Sequence, residues 1–361
     1  MPRQDRPVGR SRPFHHRTEN PLRPRAAALA LCSALLCGAL VATAVPPASA
    51  TARGASAVPG AAVASGAVGS PGMAVAPYFY NGWGDPPDPV AVMRATGVRW
   101  FSMAFVLDGG GCDPQWDGTR PLTGGVDQAT VDAVRAAGGD VIPSFGGGRG
   151  PYLETGCPDA AALAAAYLRV IDAYGLRAID VDIEGAPYAD AGVRRKVVDA
   201  LKTVKADDPG IVEYVTFPSG GDGPDATLVD QAAAAGLRPD GWSIMPFDFG
   251  GAEHDMGAAT IRAAEGLARV LRSAYDYDAA DAYHHMGISS ENGVTGDGEA
   301  ITQVDFRTVA AYAARHRIAR LTFWSVNRDR PCHGAYRTDD TCSGVAQRDW
   351  DFTKVLVDSG L

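Results

Sequence analysis

Short apolar runs alternate with longer amphipathic stretches from about residue 73 to the end of the chain. The runs are rich in β-branched and aromatic residues, which is typical of buried strands, and the Ala-rich stretches between them have the spacing of helices. The pattern predicts strands at Val75–Tyr80, Trp100–Val106, Asp140–Phe145, Ala178–Glu184, Val212–Phe217, Gly241–Phe247, Tyr283–Ile288 and Arg320–Ser325. A helix is predicted after each strand, with starts near Pro89, Asp127, Asp159, Ala191, Asp225, Ala258, Asp305 and Gly344.

Eight strand–helix units in strict order predict a parallel sheet of the α/β class, closed into a single (β/α)8 TIM barrel. A doubly wound open sheet is the alternative. Such a sheet usually carries a Gly-rich phosphate loop after its first strand, and here that strand ends in Tyr78-Phe79-Tyr80-Asn81. In a barrel, the functional side chains are expected where the strands end, at the C-terminal face.

The residues before the barrel have a different character. Seven Arg and two acidic residues precede the apolar run Ala26–Val45, which is followed by Pro46-Pro47-Ala48-Ser49-Ala50. This order predicts a secretory signal peptide over residues 1–50, and therefore a secreted, extracellular protein. A membrane anchor is the alternative, but Cys, Ser, Gly and Thr interrupt the run. Residues 51–72 predict a flexible Ala/Gly/Ser-rich segment, and residues 73–361 the barrel domain.

Composition narrows the classes of function. The chain is 46% hydrophobic and 21% charged, with a formal net charge of -9, and the barrel region has no basic stripe. These features disfavour disorder and nucleic-acid binding. Outside the signal peptide, the cysteines are Cys112, Cys157, Cys332 and Cys342. Their even number in an exported protein predicts disulfides, Cys332 with Cys342 and Cys112 with Cys157, and the lack of a CxxC spacing disfavours zinc.

The most informative segment is the fourth predicted strand, which alternates acidic and aliphatic residues. Asp180, Asp182 and Glu184 share one face, and the aliphatic residues between them share the other. If the aliphatic face packs under the helices, the three carboxyl groups point into the barrel. A solvated edge strand is the alternative, but a strand flanked on both sides should be central.

Position along this strand assigns a role to each acid. Same-face residues are about 6.6 Å apart along the strand, so Glu184 is expected at the mouth, with Asp182 and Asp180 progressively deeper. Neighbouring buried carboxyl groups cannot all ionise, so the pKa of Glu184 is expected to be raised. A raised pKa would let Glu184 act as a general acid near neutral pH.

These residues resemble glycoside hydrolase family 18, the chitinase family. Asp-x-Asp-x-Glu at the end of the fourth strand resembles its signature, although Arg177 stands where the family has a first Asp. Three further motifs resemble those of the family. They close the third, sixth and eighth predicted strands and are, in that order, Ser144-Phe145-Gly146-Gly147, Met245-Pro246-Phe247-Asp248 and Trp324-Ser325. Tyr78 lies on the first strand, where the family commonly has an aromatic residue.

The resemblance implies a secreted chitinase that hydrolyses β-1,4 N-acetylglucosamine linkages with retention. It implies that Glu184 is the general acid and base, that Asp182 orients the acetamido group of the substrate, and that Asp180 is the partner of Asp182. Asp248 and Trp324 would bind the sugar in the catalytic subsite. The expected partners are chitin or chitooligosaccharides, with no cofactor, metal, nucleic acid or membrane, and the protein is expected to be a monomer.

Several alternatives remain open. The usual tyrosine of the Met-x-Tyr-Asp motif is Phe247, so the missing hydroxyl is expected from another residue, with Tyr214 as the candidate. The related activities are an endo-β-N-acetylglucosaminidase acting on N-glycans and a weakly catalytic chitin-binding protein. A two-carboxylate glycosidase would instead use Glu291 as the nucleophile, and a metal-dependent hydrolase would use the three acids as ligands.

Overall fold

In a computed structural model of the protein, the described residues are 72–251, 253–336 and 340–361. The predicted signal peptide lies outside them, as does the flexible segment except for Gly72. The strands are β1 Tyr78–Tyr80, β2 Trp100–Asp108, β3 Pro114–Trp116, β4 Asp140–Gly146, β5 Ala178–Asp182, β6 Val212–Pro218, β7 Gly241–Met245, β8 Met286–Glu291, β9 Gly293–Val294, β10 Ala300–Ile301 and β11 Arg320–Trp324. The helices are α1 Pro89–Thr96, α2 Val126–Ala136, α3 Leu153–Gly156, α4 Ala160–Tyr174, α5 Gly185–Ala189, α6 Ala191–Asp207, α7 Thr227–Ala235, α8 Met256–Tyr275, α9 Ala279–His284, α10 Gln303–His316 and α11 Asp351–Val357, with a 3-10 turn at Val326–Arg328.

Eight parallel strands form a nearly closed barrel in the order β1-β2-β4-β5-β6-β7-β8-β11. The seam between the first and last strands is joined just before β1, where Val75 bridges Leu321 in parallel and the Leu321 amide donates to the Ala74 carbonyl at 2.7 Å. Helices flank this sheet, and the predicted (β/α)8 fold is confirmed.

The alternation of side chains along β5 explains how the barrel is filled. Ile179, Val181 and Ile183 are at most 1% exposed and belong to the core between the sheet and the helices. The acidic residues between them therefore face the interior of the barrel. The neighbouring helix α4 begins where Asp159 accepts a hydrogen bond from the Ala162 amide at 2.8 Å, as the sequence predicts.

The sequence prediction was wrong at two elements near the C-terminus. The seventh barrel strand begins at Met286 rather than Tyr283, because Tyr283 belongs to the short helix α9, which is capped by Asp278 and ends at His284. The final helix begins at Asp351 rather than near Gly344. The short strands β3, β9 and β10 were not predicted, since segments of two or three residues carry no periodic signal.

Two disulfides connect the cysteines of the barrel domain in the predicted pairs. Cys112 bonds to Cys157 with the Cα atoms 4.6 Å apart, and Cys332 bonds to Cys342 with the Cα atoms 5.1 Å apart. The first links the loop after β2 to the residue that follows α3, and the second closes a loop after β11. Within the described ranges, no helix combines the length and the apolarity needed to span a membrane.

Candidate active site

Asp180 lies at the centre of the barrel and is fully buried. Its carboxylate accepts hydrogen bonds from three hydroxyl groups on three other strands: Tyr78 at 2.7 Å and Ser144 at 2.6 Å reach Oδ2, and Thr216 at 2.8 Å reaches Oδ1. These donors compensate for the water that a buried carboxylate loses. The inward direction predicted for this acid is confirmed, and Ser144 supports the site from below the cleft.

A buried arginine lies beneath Asp180. The Nη2 atom of Arg320 is 3.9 Å from Asp180 Oδ1 and donates to Ser102 Oγ at 2.6 Å, and its guanidinium lies 4.4 Å from the centroid of the Tyr214 ring. Arg320 is 0% exposed. It therefore supplies a positive charge in the same low-dielectric region as the acids.

Asp182 is 4% exposed, and its Oδ1 atom has no hydrogen-bond partner in the protein. Burial raises its pKa well above the ordinary value, and the negative charges of Glu184 and Asp180 raise it further, against an opposing effect of Arg320. A carboxyl group in this environment holds a proton and presents one oxygen that is free to bind a ligand.

Glu184 follows β5 and precedes the short helix α5. Burial raises its pKa to about 7; a hydrogen bond with Asp182 opposes the rise, and the negative charge of Asp248 adds to it. The sequence predicts such a rise from neighbouring carboxyl groups, whereas the largest cause is burial. Glu184 is therefore protonated over the weakly acidic range and can donate a proton into the cleft.

Two glycines bring the end of β4 against the end of β5. Gly146 has φ 94°, and a Cβ there would lie 2.1 Å from the Asp182 carbonyl oxygen. The Gly147 amide donates to that same oxygen at 2.8 Å. Any side chain at 146 would push the two strand ends apart, so this motif holds the backbone of Asp182 in place without contacting the cleft.

A cleft of about 580 Å³ opens at the C-terminal face of the barrel. It is lined by Tyr78, Trp83, Phe105, Gly148, Arg149, Asp182, Glu184, Met245, Phe247, Asp248, Ser289, Glu291, Gly296, Trp324, Arg328 and Asp340. Eight of the residues named in the sequence analysis are among them: Tyr78, Asp182, Glu184, Met245, Phe247, Asp248, Trp324 and, from the two-carboxylate alternative, Glu291. They lie on or shortly after five strands, β1, β5, β7, β8 and β11, as functional residues of such barrels do.

One wall of the cleft is a row of stacked aromatic rings. The Trp83 and Tyr80 ring centroids are 4.2 Å apart, those of Tyr80 and Trp324 are 4.6 Å apart, and those of Trp324 and Phe105 are 5.6 Å apart. Trp83 is 39% exposed, so it presents apolar surface to a ligand. Such faces suit the C–H side of a pyranose ring.

Sequence reasoning missed several residues of the cleft. Trp83 lies between two glycines just after β1, at the face where function is expected, and that position could have revealed it. Arg328 carries no such signal, because the 3-10 turn after β11 places it. It is 3% exposed and forms an ion pair with Glu291, whose pKa burial raises to about 7.

The position of Tyr214 corrects one expectation. This residue packs with Ala76 and Ala178 in a separate apolar cluster at the start of the strands, and its ring lies against Arg320. It does not line the cleft, because it is one same-face position deeper than Thr216 on β6. Tyr214 therefore does not replace the hydroxyl that Phe247 lacks.

Arg177, the departure from the family signature, is remote from the cleft. Its Nη2 atom is 2.8 Å from Asp140 Oδ2, and its guanidinium lies 4.8 Å from the Trp100 ring centroid. Both partners lie at the starts of their strands. The departure therefore affects the closed end of the barrel. In the described ranges, no three His, Cys, Asp or Glu side chains are arranged to hold a metal ion.

The chain is similar to two curated chitinases, although no family model matches it. It is 28% identical over 277 residues to a probable bifunctional chitinase/lysozyme of Escherichia coli (strain K12), which covers 71% of this chain and 31% of that protein. It is 26% identical over 275 residues to Endochitinase 11 of Metarhizium anisopliae, covering 71% of this chain and 52% of that protein. The chain thus spans about a third and about half the length of these relatives.

Solved structures agree with this likeness. The catalytic domain of a hyperthermophilic chitinase from Pyrococcus furiosus superposes with a TM-score of 0.72 at 29% identity, over 79% of this chain and 94% of that one. A GH18 chitinase from Pseudoalteromonas aurantia matches with a TM-score of 0.50 at 10% identity, over 79% of this chain and 99% of that one, which shows the fold alone.

Proposed function

Given that the chain belongs to glycoside hydrolase family 18, we propose that it is a secreted chitinase that cleaves β-1,4 N-acetylglucosamine linkages by a retaining, substrate-assisted mechanism. The relatives are named chitinases, and active domain 2 of the P. furiosus enzyme was crystallised, as catalytic site mutants, with chito-oligosaccharides. Their substrate class is transferred here to chitin or chitooligosaccharides, bound by a monomer that needs no cofactor.

One observation carries the proposal. Two carboxyl groups lie along the inner face of β5, and a third, that of Glu184 just after the strand, reaches the cleft with a pKa raised to about 7. The middle one, Asp182, keeps an oxygen without a protein partner, and the deepest, Asp180, is saturated by three hydroxyl donors. This graded arrangement suits a proton donor supported by two acids that stay out of the proton transfer to the leaving group.

In the first step, the acetamido carbonyl oxygen of the substrate attacks the anomeric carbon of its own sugar. Glu184 gives its proton to the glycosidic oxygen, so the glycosidic bond breaks and the leaving sugar departs as an alcohol. The free oxygen of Asp182 accepts a hydrogen bond from the acetamido N–H, orienting the group and stabilising the positive charge of the oxazolinium ion. Trp324 lies under the ring, and Asp248 binds a hydroxyl group of the distorted sugar.

In the second step, the ionised Glu184 removes a proton from water as the water attacks the anomeric carbon. The oxazolinium ring opens, the acetamido group is restored and the product keeps the original anomeric configuration. Glu291 is poorly placed to act as a nucleophile, because its carboxylate forms an ion pair with Arg328. The ion pair therefore argues against the two-carboxylate alternative.

Secretion is part of the same proposal. The basic and apolar pattern of residues 1–50 supports export, and the two disulfides of the barrel domain suit an oxidising compartment. The expected location is extracellular, where an insoluble polysaccharide is accessible.

The direct test is Glu184→Gln, assayed for release of reducing sugars from chitooligosaccharides. The amide keeps the shape of the side chain but has no proton to transfer, so we expect the rate to fall by about two to four orders of magnitude with unchanged thermal unfolding. Glu253→Gln is the matched control, because Glu253 is paired with the surface residue Arg262, away from the cleft. Near-normal turnover by the Glu184 variant would refute the assignment.

The same assay separates the related activities. Chitooligosaccharides and an N-linked glycoprotein are incubated in parallel, and the first-formed anomer is followed by NMR. We expect cleavage of the oligosaccharides with the β-anomer formed first. Release of N-glycans alone would identify an endo-β-N-acetylglucosaminidase, and binding to chitin without any release would identify a binding protein.

A further inference from the structure

Asp248 lies where two loops of the cleft meet. It follows β7 in the left-handed backbone region, with φ 55°. The segment 249–251 that continues from it is held against a hairpin after β8, formed by β9, β10 and the connecting residues 295–299. The position of the Asp248 carboxylate therefore depends on how this segment and the hairpin are joined.

Glu299 makes the main connection. Its side chain is buried, and its Oε1 atom accepts hydrogen bonds from the amides of Phe249 at 2.8 Å and Gly251 at 3.0 Å. Its Oε2 atom accepts from the hydroxyl of Thr295 at 3.1 Å, within the hairpin. A buried carboxylate with three donors on two segments is costly to displace, so it fixes the backbone directly after Asp248.

The hairpin also contacts the Asp248 carboxylate itself. The Asp297 amide donates to Asp248 Oδ1 at 2.9 Å, and the Asp297 carboxylate accepts from the Gly250 amide at 2.9 Å. A Cβ at Gly296 would lie 3.1 Å from Asp248 Oδ2, so the carboxylate fits the hairpin closely. One face of the group is thus held by the hairpin while the other faces the cleft.

We propose that Glu299 is a positioning residue that fixes the Asp248 carboxylate against the reacting sugar by binding the segment 249–251 to the hairpin. The inference rests on the proposed function, because it requires Asp248 to bind the distorted sugar. Glu299 does not line the cleft and acts only through Asp248. It lies outside the motifs named in the sequence analysis.

The connection has an electrostatic consequence. The negative charge of Asp248 raises the pKa of Glu184, whereas a hydrogen bond with Asp182 lowers it, and Arg149 lines the same cleft. If the Asp248 carboxylate moves away, the pKa of Glu184 falls, since a nearby negative charge had raised it. A positioning defect should therefore move the alkaline limb of the pH profile toward lower pH, whereas a loss of folded protein would leave the limb in place.

The test is Glu299→Ala in the full chain, assayed on chitooligosaccharides. We expect kcat to fall about 10- to 100-fold with KM changed less than threefold, because Asp248 binds most strongly in the transition state. The alkaline limb should shift to lower pH. Glu299→Gln should recover most of the rate, since its amide oxygen still accepts both backbone hydrogen bonds. The control is Glu253→Ala, whose carboxylate contacts Arg262 at the surface.

A double-mutant cycle with Asp248→Asn decides whether Glu299 acts through Asp248. Non-additive losses support the proposal. Equal losses from Glu299→Ala in both backgrounds, or an alkaline limb that does not move, overturn it.

If Glu299→Ala does not fold, Gly296→Ala is the second variant. Its added methyl group crowds the Asp248 carboxylate and should lower kcat, and an unchanged kcat would overturn the proposal. Full activity in Glu299→Ala beside an inactive Glu184→Gln refutes this inference alone, whereas an inactive wild type refutes the proposed function.

Discussion

The chemistry of the site depends on the different surroundings of three neighbouring carboxyl groups. Asp180 has three hydroxyl donors and a buried arginine, and Asp182 has an oxygen with no donor. Glu184 lies between these buried acids and the open cleft. Two carboxyl groups on β5 and a third directly after it thus have three environments, and burial raises the pKa of both Asp182 and Glu184.

The pH profile should report on Glu184. Its pKa is raised to about 7, so the protonated form that catalysis needs is present below pH 7 and is lost above it. We expect kcat/KM on a chitooligosaccharide to fall about tenfold per pH unit above pH 7. A limb near the ordinary glutamate value of 4.5 would show that the burial of this side chain does not control its ionisation.

At the scale of elements, loops after the strands build the walls of the cleft. Trp83 follows β1 and stacks on Tyr80, and its indole nitrogen donates to Asp340 at 3.2 Å. Asp340 belongs to the loop closed by the Cys332–Cys342 disulfide. The aromatic wall therefore depends on two loops that are about 250 residues apart in the chain.

Trp83→Ala should weaken the binding of long substrates. Removing the exposed ring takes away an apolar face worth roughly 1–2 kcal/mol, so KM for long chitooligosaccharides should rise about five- to thirtyfold with kcat nearly unchanged. Trp83→Phe keeps a ring and should lose less. Steady-state kinetics on a series of oligosaccharide lengths measures this, and equal KM values across the series for both variants would exclude a role of Trp83 in binding.

For the whole molecule, the packing of helices around the barrel buries acids that the cleft does not use. Glu213 on β6 is 0% exposed, and neither of its carboxyl oxygens has a hydrogen-bond partner. Burial raises its pKa to about 8, with Lys205 opposing the rise and Asp240 adding to it. In the unfolded chain the ordinary value is 4.5, so unfolding between these pH values releases a proton.

Global stability should therefore fall as pH rises from about 4.5 to 8, because the unfolded state ionises first. Glu213→Gln removes this proton release, so the variant should gain about 1–3 kcal/mol at pH 8 relative to its effect at pH 5. Urea unfolding of both proteins at the two pH values gives the difference, with the surface variant Glu253→Gln as the control. Identical pH dependence in wild type and variant would contradict the prediction.

The fold itself followed closely from local patterns. Each barrel strand alternates or is uniformly apolar, and each helix has an apolar face, so the order of elements and the inward direction of the β5 acids could be deduced without knowing any contact. The predictions failed at Tyr283 and Gly344, where short helices and turns have no period of their own. Local patterns specify elements because periods of two and 3.6 residues act within a few residues of the chain.

The sequence by itself determined the barrel, its acidic strand and the residues that end the strands. Only the tertiary structure decided that Arg320 lies beneath Asp180, that Tyr214 lies far from the cleft, and that Glu299 holds the segment after Asp248. Those contacts join positions many residues apart, and they depend on the stagger of the strands when the sheet closes. No local pattern encodes that stagger, because it is set by the packing of all eight strands at once.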